Sequence, residues 1–211
     1  TLLPAAQKHH QKRKLLNEIA EGISYARSNR VVTVTLVITV VMNVFVLALF
    51  GLVPVVAIDV LKLSPSINGV LLSSSGVGGF FGALLISIYG LQSHYRRYYF
   101  WGCLLLAASI LVFSLSTTFY FSIILLVLGG FGLAGFGTMQ VTLLLLETPP
   151  HLRARILGLL TVCIGMGPVG VLHVGYMAEI FGTVNGMVMV GLEGIVIMAI
   201  VGFVWPELRK A

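Results

Sequence analysis

The chain has 211 residues, of which 58% are hydrophobic and only 9% charged, with a mean hydropathy of +1.03 and a formal net charge of +6. That balance excludes an ordinary soluble domain. The pI of about 9.6 would suit nucleic acid if the charge lay on one folded face, but it is spread over short segments between apolar runs, which argues against nucleic acid and for membrane topology.

In chain order, residues 7–14 (QKHHQKRK) read as a charged linker. The chain opens on Thr1, not Met, and its first thirty residues read like the interior of a longer protein. Residues 15–27 place Leu15, Leu16, Ile19 and Ile23 on one helical face, with Glu18, Glu21 and Arg27 elsewhere. That pattern predicts an amphipathic helix lying along the membrane surface, a plain tail being the alternative. Six apolar runs follow, at 31–58, 67–90, 98–116, 119–146, 156–181 and 184–205. Most reach the ~20 residues that a helix needs to cross ~30 Å of hydrocarbon.

The charges orient these runs. Of the 13 Lys and Arg, Lys62 alone falls in 59–66, 117–118 or 182–183; the other twelve fall in 1–30, 91–97, 147–155 and 206–211. Positive charge is retained on the cytoplasmic side, so both ends of the chain are expected in the cytoplasm and the bundle in a plasma membrane, such as the bacterial inner membrane. The predicted fold class is an all-α membrane protein of six transmembrane helices. It divides into a linker at 1–30 and a bundle at 31–211.

Small residues crowd the runs and allow helices close approach in lipid. The second carries Gly76, Gly78, Gly79 and Gly82; the fourth carries Gly129, Gly130, Gly132, Gly135 and Gly137. The fifth carries Gly158 and Gly165, and a kink is expected at Gly167, Pro168 and Gly170. Such density suits helices that slide against each other, tight static packing being the alternative. Cys103 and Cys163 lie inside apolar runs and read as small core residues, not as a disulfide or metal site.

Ionisable groups inside a bilayer are costly and mark function by default. Glu193 stands near the middle of the sixth run, with Gly186 and Met189 on its face. A carboxylic acid there can take up a proton and release it when water enters; a neutral Glu hydrogen-bonded to a neighbouring helix is the alternative. His173, with Met166, Gly170 and Met177 on the same side, is the second proton-carrier candidate, His being the side chain that changes charge near neutrality. A satisfied packing residue is its alternative. Thr35, Thr39 and Asn43 form a polar stripe in the first run, and Gln140 lies in the fourth. With Met166 and Met189 these are candidates for lining a substrate cavity, interhelical hydrogen bonding being the plainer reading. Phe45, Phe80, Phe81, Phe131 and Phe136 offer aromatic surface. Asp59 and Glu179 read as helix-end residues. Arg153 and Arg155 read as anchors or as gating partners of Glu147. No catalytic constellation, cofactor motif, metal site or nucleotide-binding loop is present in the sequence, so neither an enzyme nor an ATP-driven pump is expected.

Several stretches resemble the major facilitator superfamily, in particular the branch with the enterobactin exporter and related drug-efflux proteins. VPVVAIDVLKLSPSINGVLLSSSGVGGFFGALL at 53–85 resembles its seventh and eighth helices, and LNEIAEGISYARSNR at 16–30 the segment leading into them. ETPPHLRARILGLL at 147–160 resembles the loop between helices ten and eleven, and GMGPVGVLHVGYMAEIFG at 165–182 the eleventh helix. The resemblance implies the C-terminal six-helix half of a twelve-helix secondary transporter, itself divisible into three plus three helices. Its partners would be the N-terminal six-helix half, the lipid bilayer, a small and fairly apolar substrate, and protons exchanged in antiport. A non-transporting scaffold and a half-size transporter working as a homodimer are the rival readings. One departure stands out. The loop that in the superfamily reads like Gly-x-x-x-Asp-Arg-x-Gly-Arg-Arg is here Tyr89-Gly90-Leu91-Gln92-Ser93-His94-Tyr95-Arg96-Arg97. The acid is missing, which argues against a charge latch and leaves Arg96 and Arg97 as topology signals or gating candidates.

Overall fold

A computed structural model describes residues 18–90 and 94–208. Leu15, Leu16, the basic stretch 7–14, Leu91–Ser93 and the last three residues lie outside the described residues. Among the described residues, six helical spans are long and apolar enough to cross a membrane: Arg30–Asp59, Pro65–Tyr89, Tyr95–Ser114, Phe119–Glu147, Pro150–Phe181 and Thr183–Val204. In hydrocarbon a helix satisfies every backbone group internally, and so the apolar runs fold this way.

A short helix at 18–28 (α1) precedes the spans. Asn29 then caps α2 (Arg30–Val41), its Oδ1 accepting from the N–H groups of Val31 at 3.0 Å and Val32 at 3.1 Å. The first span does not continue as one α-helix. It widens into a π turn at Met42–Val46 and tightens into a 3₁₀ segment at Leu47–Leu52 before α3 (Val53–Asp59). Pro54 falls in the first turn of α3, where its missing N–H costs nothing, and its ring excludes only the carbonyl of Phe50 in the 3₁₀ segment. The kink predicted in the fifth span is also present. α7 (Arg153–Ile164) stops, and α8 (Gly167–Phe181) restarts with Pro168 in its first turn. Thus two spans are interrupted, and the sequence reading located only one.

The remaining spans are α4 (Pro65–Tyr89), α5 (Tyr95–Ser114), α6 (Phe119–Glu147) and α9 (Thr183–Val204). Pro65 opens α4 after Ser64, and Gly182, at φ 85°, makes the turn between α8 and α9 that a side chain would strain. α6 is the hub. Its Gly130 meets the backbone of Ser75 and Gly78 on α4, while Gly132 meets Gly102 and Leu106 on α5. Ile38, Met42, Leu49, Tyr99, Leu106, Phe113, Leu126 and Met187 fill the core and are essentially inaccessible. By contrast α4 buries only the stripe Leu71, Ser74, Gly78 and Gly82, and α8 only Gly170 and Val174. The outer faces of the second and fifth spans are therefore free of contacts within this bundle. Cys103 is buried in α5 and Cys163 is half-buried in α7.

Helix α1 packs on α7 and does not stand apart. Gly22 touches Arg155 and Leu159, and Ala26 joins Val32, Leu144, Ile156 and Leu160 in a second small core. Ile19 and Ile23 remain exposed.

Candidate functional site

The interruption of the first span builds the site. At the π turn the chain presses against two helices at glycines: Gly170 of α8 lies on the backbone of Val44, and Gly194 of α9 lies on Phe45 and Val46. The residues beside those glycines are His173, one turn along α8, and Glu193. Their side chains meet, His173 Nε2 standing 2.7 Å from Glu193 Oε2. The ring of Phe45 approaches His173 edge-on with centroids 5.9 Å apart. Val44, Phe45, Val169, Val196 and Ile197 surround the pair in an open cleft of about 560 Å³. Glu193 is the eleventh of the 22 residues of α9, which puts it about 15 Å from either end at 1.5 Å per residue.

Two proton-carrier candidates that the sequence offered separately thus form one unit. Together they hold no proton, one or two, with net charge running from −1 to +1. The surrounding side chains are apolar, so within hydrogen-bonding reach each is the other's partner.

The other polar candidates lie elsewhere. Thr39 Oγ1 stands 2.8 Å from the Thr35 carbonyl and 3.1 Å from Gln140 Oε1, and the Tyr99 hydroxyl donates to the Thr35 carbonyl at 3.1 Å. Asn43 donates to the Thr39 carbonyl at 2.8 Å. All of these residues are buried. The geometry realises the interhelical hydrogen-bonding alternative, fastening the first span to α5 and α6, and Thr39, Asn43 and Gln140 do not border the His173–Glu193 cleft. Met166, at the break in the fifth span, and Met189, one turn before Glu193, are partly exposed and also stand outside its lining. Phe136 stacks on Tyr99 in the core, while Phe80 and Phe81 are exposed on α4.

The basic end of the bundle holds ion and hydrogen-bond contacts of its arginines. Arg96 is not merely a topology signal: its Nη2 stands 2.6 Å from Glu147 Oε1. The acid missing from the loop after α4 is supplied by the last residue of α6, distant in sequence but adjacent in space. Among the described residues Glu147 does not pair with Arg153 or Arg155, the alternative to reading those two arginines as anchors. Arg155 Nη1 binds Glu21 Oε2 of α1 at 2.5 Å, and Arg153 Nε donates to the Thr148 carbonyl at 3.2 Å. Arg97, too, is engaged. Glu147 also receives α1 through its backbone, the Tyr25 hydroxyl donating to its carbonyl at 2.5 Å. One residue therefore joins α1, α5 and α6.

Glu147→Arg sets two cations face to face and is expected to lower stability by about 1 kcal/mol. Adding Arg96→Glu should recover most of the loss, read as the apparent melting temperature of purified protein. Failure of the double exchange to recover would mean that the pair is incidental.

Over residues 3–210 the chain matches a family model described as a transmembrane secretion effector. No curated protein and no solved structure matches it.

Proposed function

The chain belongs to the transmembrane secretion effector family, a family of membrane transporters of the major facilitator type, and from that premise we propose that it forms the C-terminal six-helix half of a proton-driven exporter. The acid–base pair at mid-helix, His173 with Glu193, carries this reading. An intramembrane carboxylate with a titratable partner is the device that couples a proton gradient to movement. Exchange then proceeds by alternating access: the pair takes up a proton from one side and yields it to the other as substrate moves out.

The uncovered faces of the second and fifth spans support a partner body. Gly69 and Gly76 on α4, and Gly158 and Gly175 on α7 and α8, have open space where a Cβ would sit. Small residues on an uncovered helix face suit close approach by another helix, here the N-terminal half. The basic end, with Arg30, Arg96, Arg153 and Arg155, faces the cytoplasm in this reading, with α1 along the inner surface. The substrate is a small compound with substantial apolar surface.

Efflux from proteoliposomes under an imposed pH gradient, with a fluorescent apolar dye as reporter, tests the proposal. Glu193→Gln keeps the shape and removes the titration. Gradient-driven efflux is expected to fall roughly a hundredfold, the scale on which a positioned proton-transfer group acts, with insertion and elution profile unchanged. Undiminished efflux would remove Glu193 from the mechanism.

A further inference from the structure

We infer that the groove between α1, α2 and α7 is a binding site for an anionic phospholipid, with an acyl chain between the helices and the phosphate on Arg27. The site is separate from the His173–Glu193 cleft and needs only that the spans stand in a bilayer.

Two clefts make the groove. One, of about 410 Å³, lies between Ile19 of α1 and Leu159 and Val162 of α7. The other, of about 240 Å³, lies between Ile23 and Arg27 of α1, Leu36 and Val37 of α2, and Cys163 of α7. Leu159 and Val162 border both, so the clefts run into one another. From Arg155 to Cys163 the α7 wall is about 12 Å long at 1.5 Å per residue, most of the ~15 Å of hydrocarbon in one leaflet. Ile19, Ile23 and Val162 are exposed, and so this apolar surface is uncovered within the described bundle. Clefts of this size take a flexible hydrocarbon chain, whereas a helix ~10 Å across is too broad for them. Gly158 borders the first cleft, so the lipid lies along the edge of the face assigned above to the N-terminal half.

Position and charge select the occupant. The first and fifth spans begin at Arg30 and Pro150, and α1 packs on that end of both, at the level where hydrocarbon gives way to headgroups. Of the charged groups at the groove, Arg155 is held by Glu21 at 2.5 Å, and the two cancel. Glu18 borders the far cleft, about 13 Å from Arg27 along α1. Arg27 is exposed and forms no salt bridge among the described residues. Thr33, on the same cleft, already gives its hydroxyl to the Ala26 carbonyl. One uncompensated guanidinium therefore stands over an apolar trough, the complement of a phosphodiester joined to an acyl chain. A zwitterionic headgroup brings a cation as well, and neither acid of the groove is free beside Arg27 to receive it. In the sequence Lys8, Lys12, Arg13 and Lys14 precede α1, and such a juxtamembrane basic cluster gathers anionic lipid around the site.

The test uses two phospholipid analogues with the same diazirine-bearing acyl chain, one with a phosphoglycerol and one with a phosphocholine headgroup. Each is added in trace to the whole protein in phosphatidylcholine nanodiscs and photolysed, and the adducts are located by peptide mass spectrometry. The phosphoglycerol analogue is expected to mark the peptides that carry Leu36–Val37 and Leu159–Cys163, and unlabelled phosphatidylglycerol to compete it away. Arg27→Gln should lower that labelling about fivefold, the scale of one cation at a membrane surface, while Arg27→Lys keeps most of it. Val162→Trp, which fills the stretch common to both clefts, should abolish labelling in the groove and leave adducts on the outer face of α4 unchanged. Equal labelling of the groove by both headgroups overturns the inference, as does labelling untouched by Arg27→Gln in monodisperse protein. Adducts confined to other faces of the bundle, as expected if the N-terminal half or a second copy fills the groove, overturn it too.

Discussion

Gly130→Ala is expected to unfold the bundle or to leave it barely stable, although it adds a single methyl group. That methyl would be driven into the Ser75 carbonyl, with the Gly79 nitrogen and the Gly78 Cα close behind. All three are backbone atoms of α4, which no rotamer change can move aside. The helices must separate, and the contacts on either side go with them: Gly78 against Val127, and Gly82 against Phe131 and Ala134. Overpacking costs about 3 kcal/mol where the surroundings cannot yield, and α4 has no other broad interface within this bundle. The measurement is the fraction of protein that elutes as a monodisperse species, with its apparent melting temperature. Gly137→Ala, on the same helix with nothing within 4 Å of the added atom, is the control, and its effect should stay within about 0.5 kcal/mol. Equal behaviour of the two variants would mean that α4 does not pack on α6 in this register.

Gly170→Ala should abolish gradient-driven efflux while the protein still inserts. A methyl at this position meets the carbonyl, Cα and carbonyl carbon of Val44, so the π turn must leave α8. Phe45 then departs from His173, and the wall of the cleft opens. The rest of the core does not depend on this contact, since α9 remains attached to α5 through Gly202 against Phe100 and Gly191 against Leu111. A stability loss of about 1–3 kcal/mol accompanies the loss of activity. Gly137→Ala on α6, with open space at its Cβ and no part in the cleft, should transport normally. Efflux retained in Gly170→Ala would show that the packing of the first span on α8 is not needed for the site.

Span limits were readable in the sequence to within a few residues, because lipid penalises unpaired backbone and polar side chains so steeply that hydropathy alone draws the boundaries. The kink in the fifth span was readable from Gly167-Pro168. The π turn of the first span at Met42–Val46 was not readable, since it lies more than two turns before Pro54 and the stretch carries no helix breaker of its own. His173 and Glu193 were each conspicuous as ionisable groups in apolar runs. That they touch was not readable, since hydropathy says nothing of how two helices rotate relative to one another, and the two residues stand on separate spans. The same gap in information hid the partner of Glu147. Arg153 and Arg155 are its neighbours along the chain, but the 3₁₀ turn at Pro150–Leu152 turns the chain away, and Arg96 arrives from another helix. Thr39 and Gln140 were recognised as polar, while their mutual contact needed the crossing of α2 over α6.

The interruption of the fifth span at Gly165 and Met166 gives its two segments different owners. α7 is fastened through Arg155 to α1 and through Ile156 and Leu160 to the small core beneath it. α8 is fastened at Gly170 to the first span and at Met177 and Ala178 to Gly186 of α9. A pivot therefore lies between a segment tethered to surface charges and a segment that carries His173. Under the proposed proton-driven exchange, swinging the former would alter access from the basic end without pulling the imidazole off its carboxylate, and a bound proton would ride through the opening instead of being spilled by it.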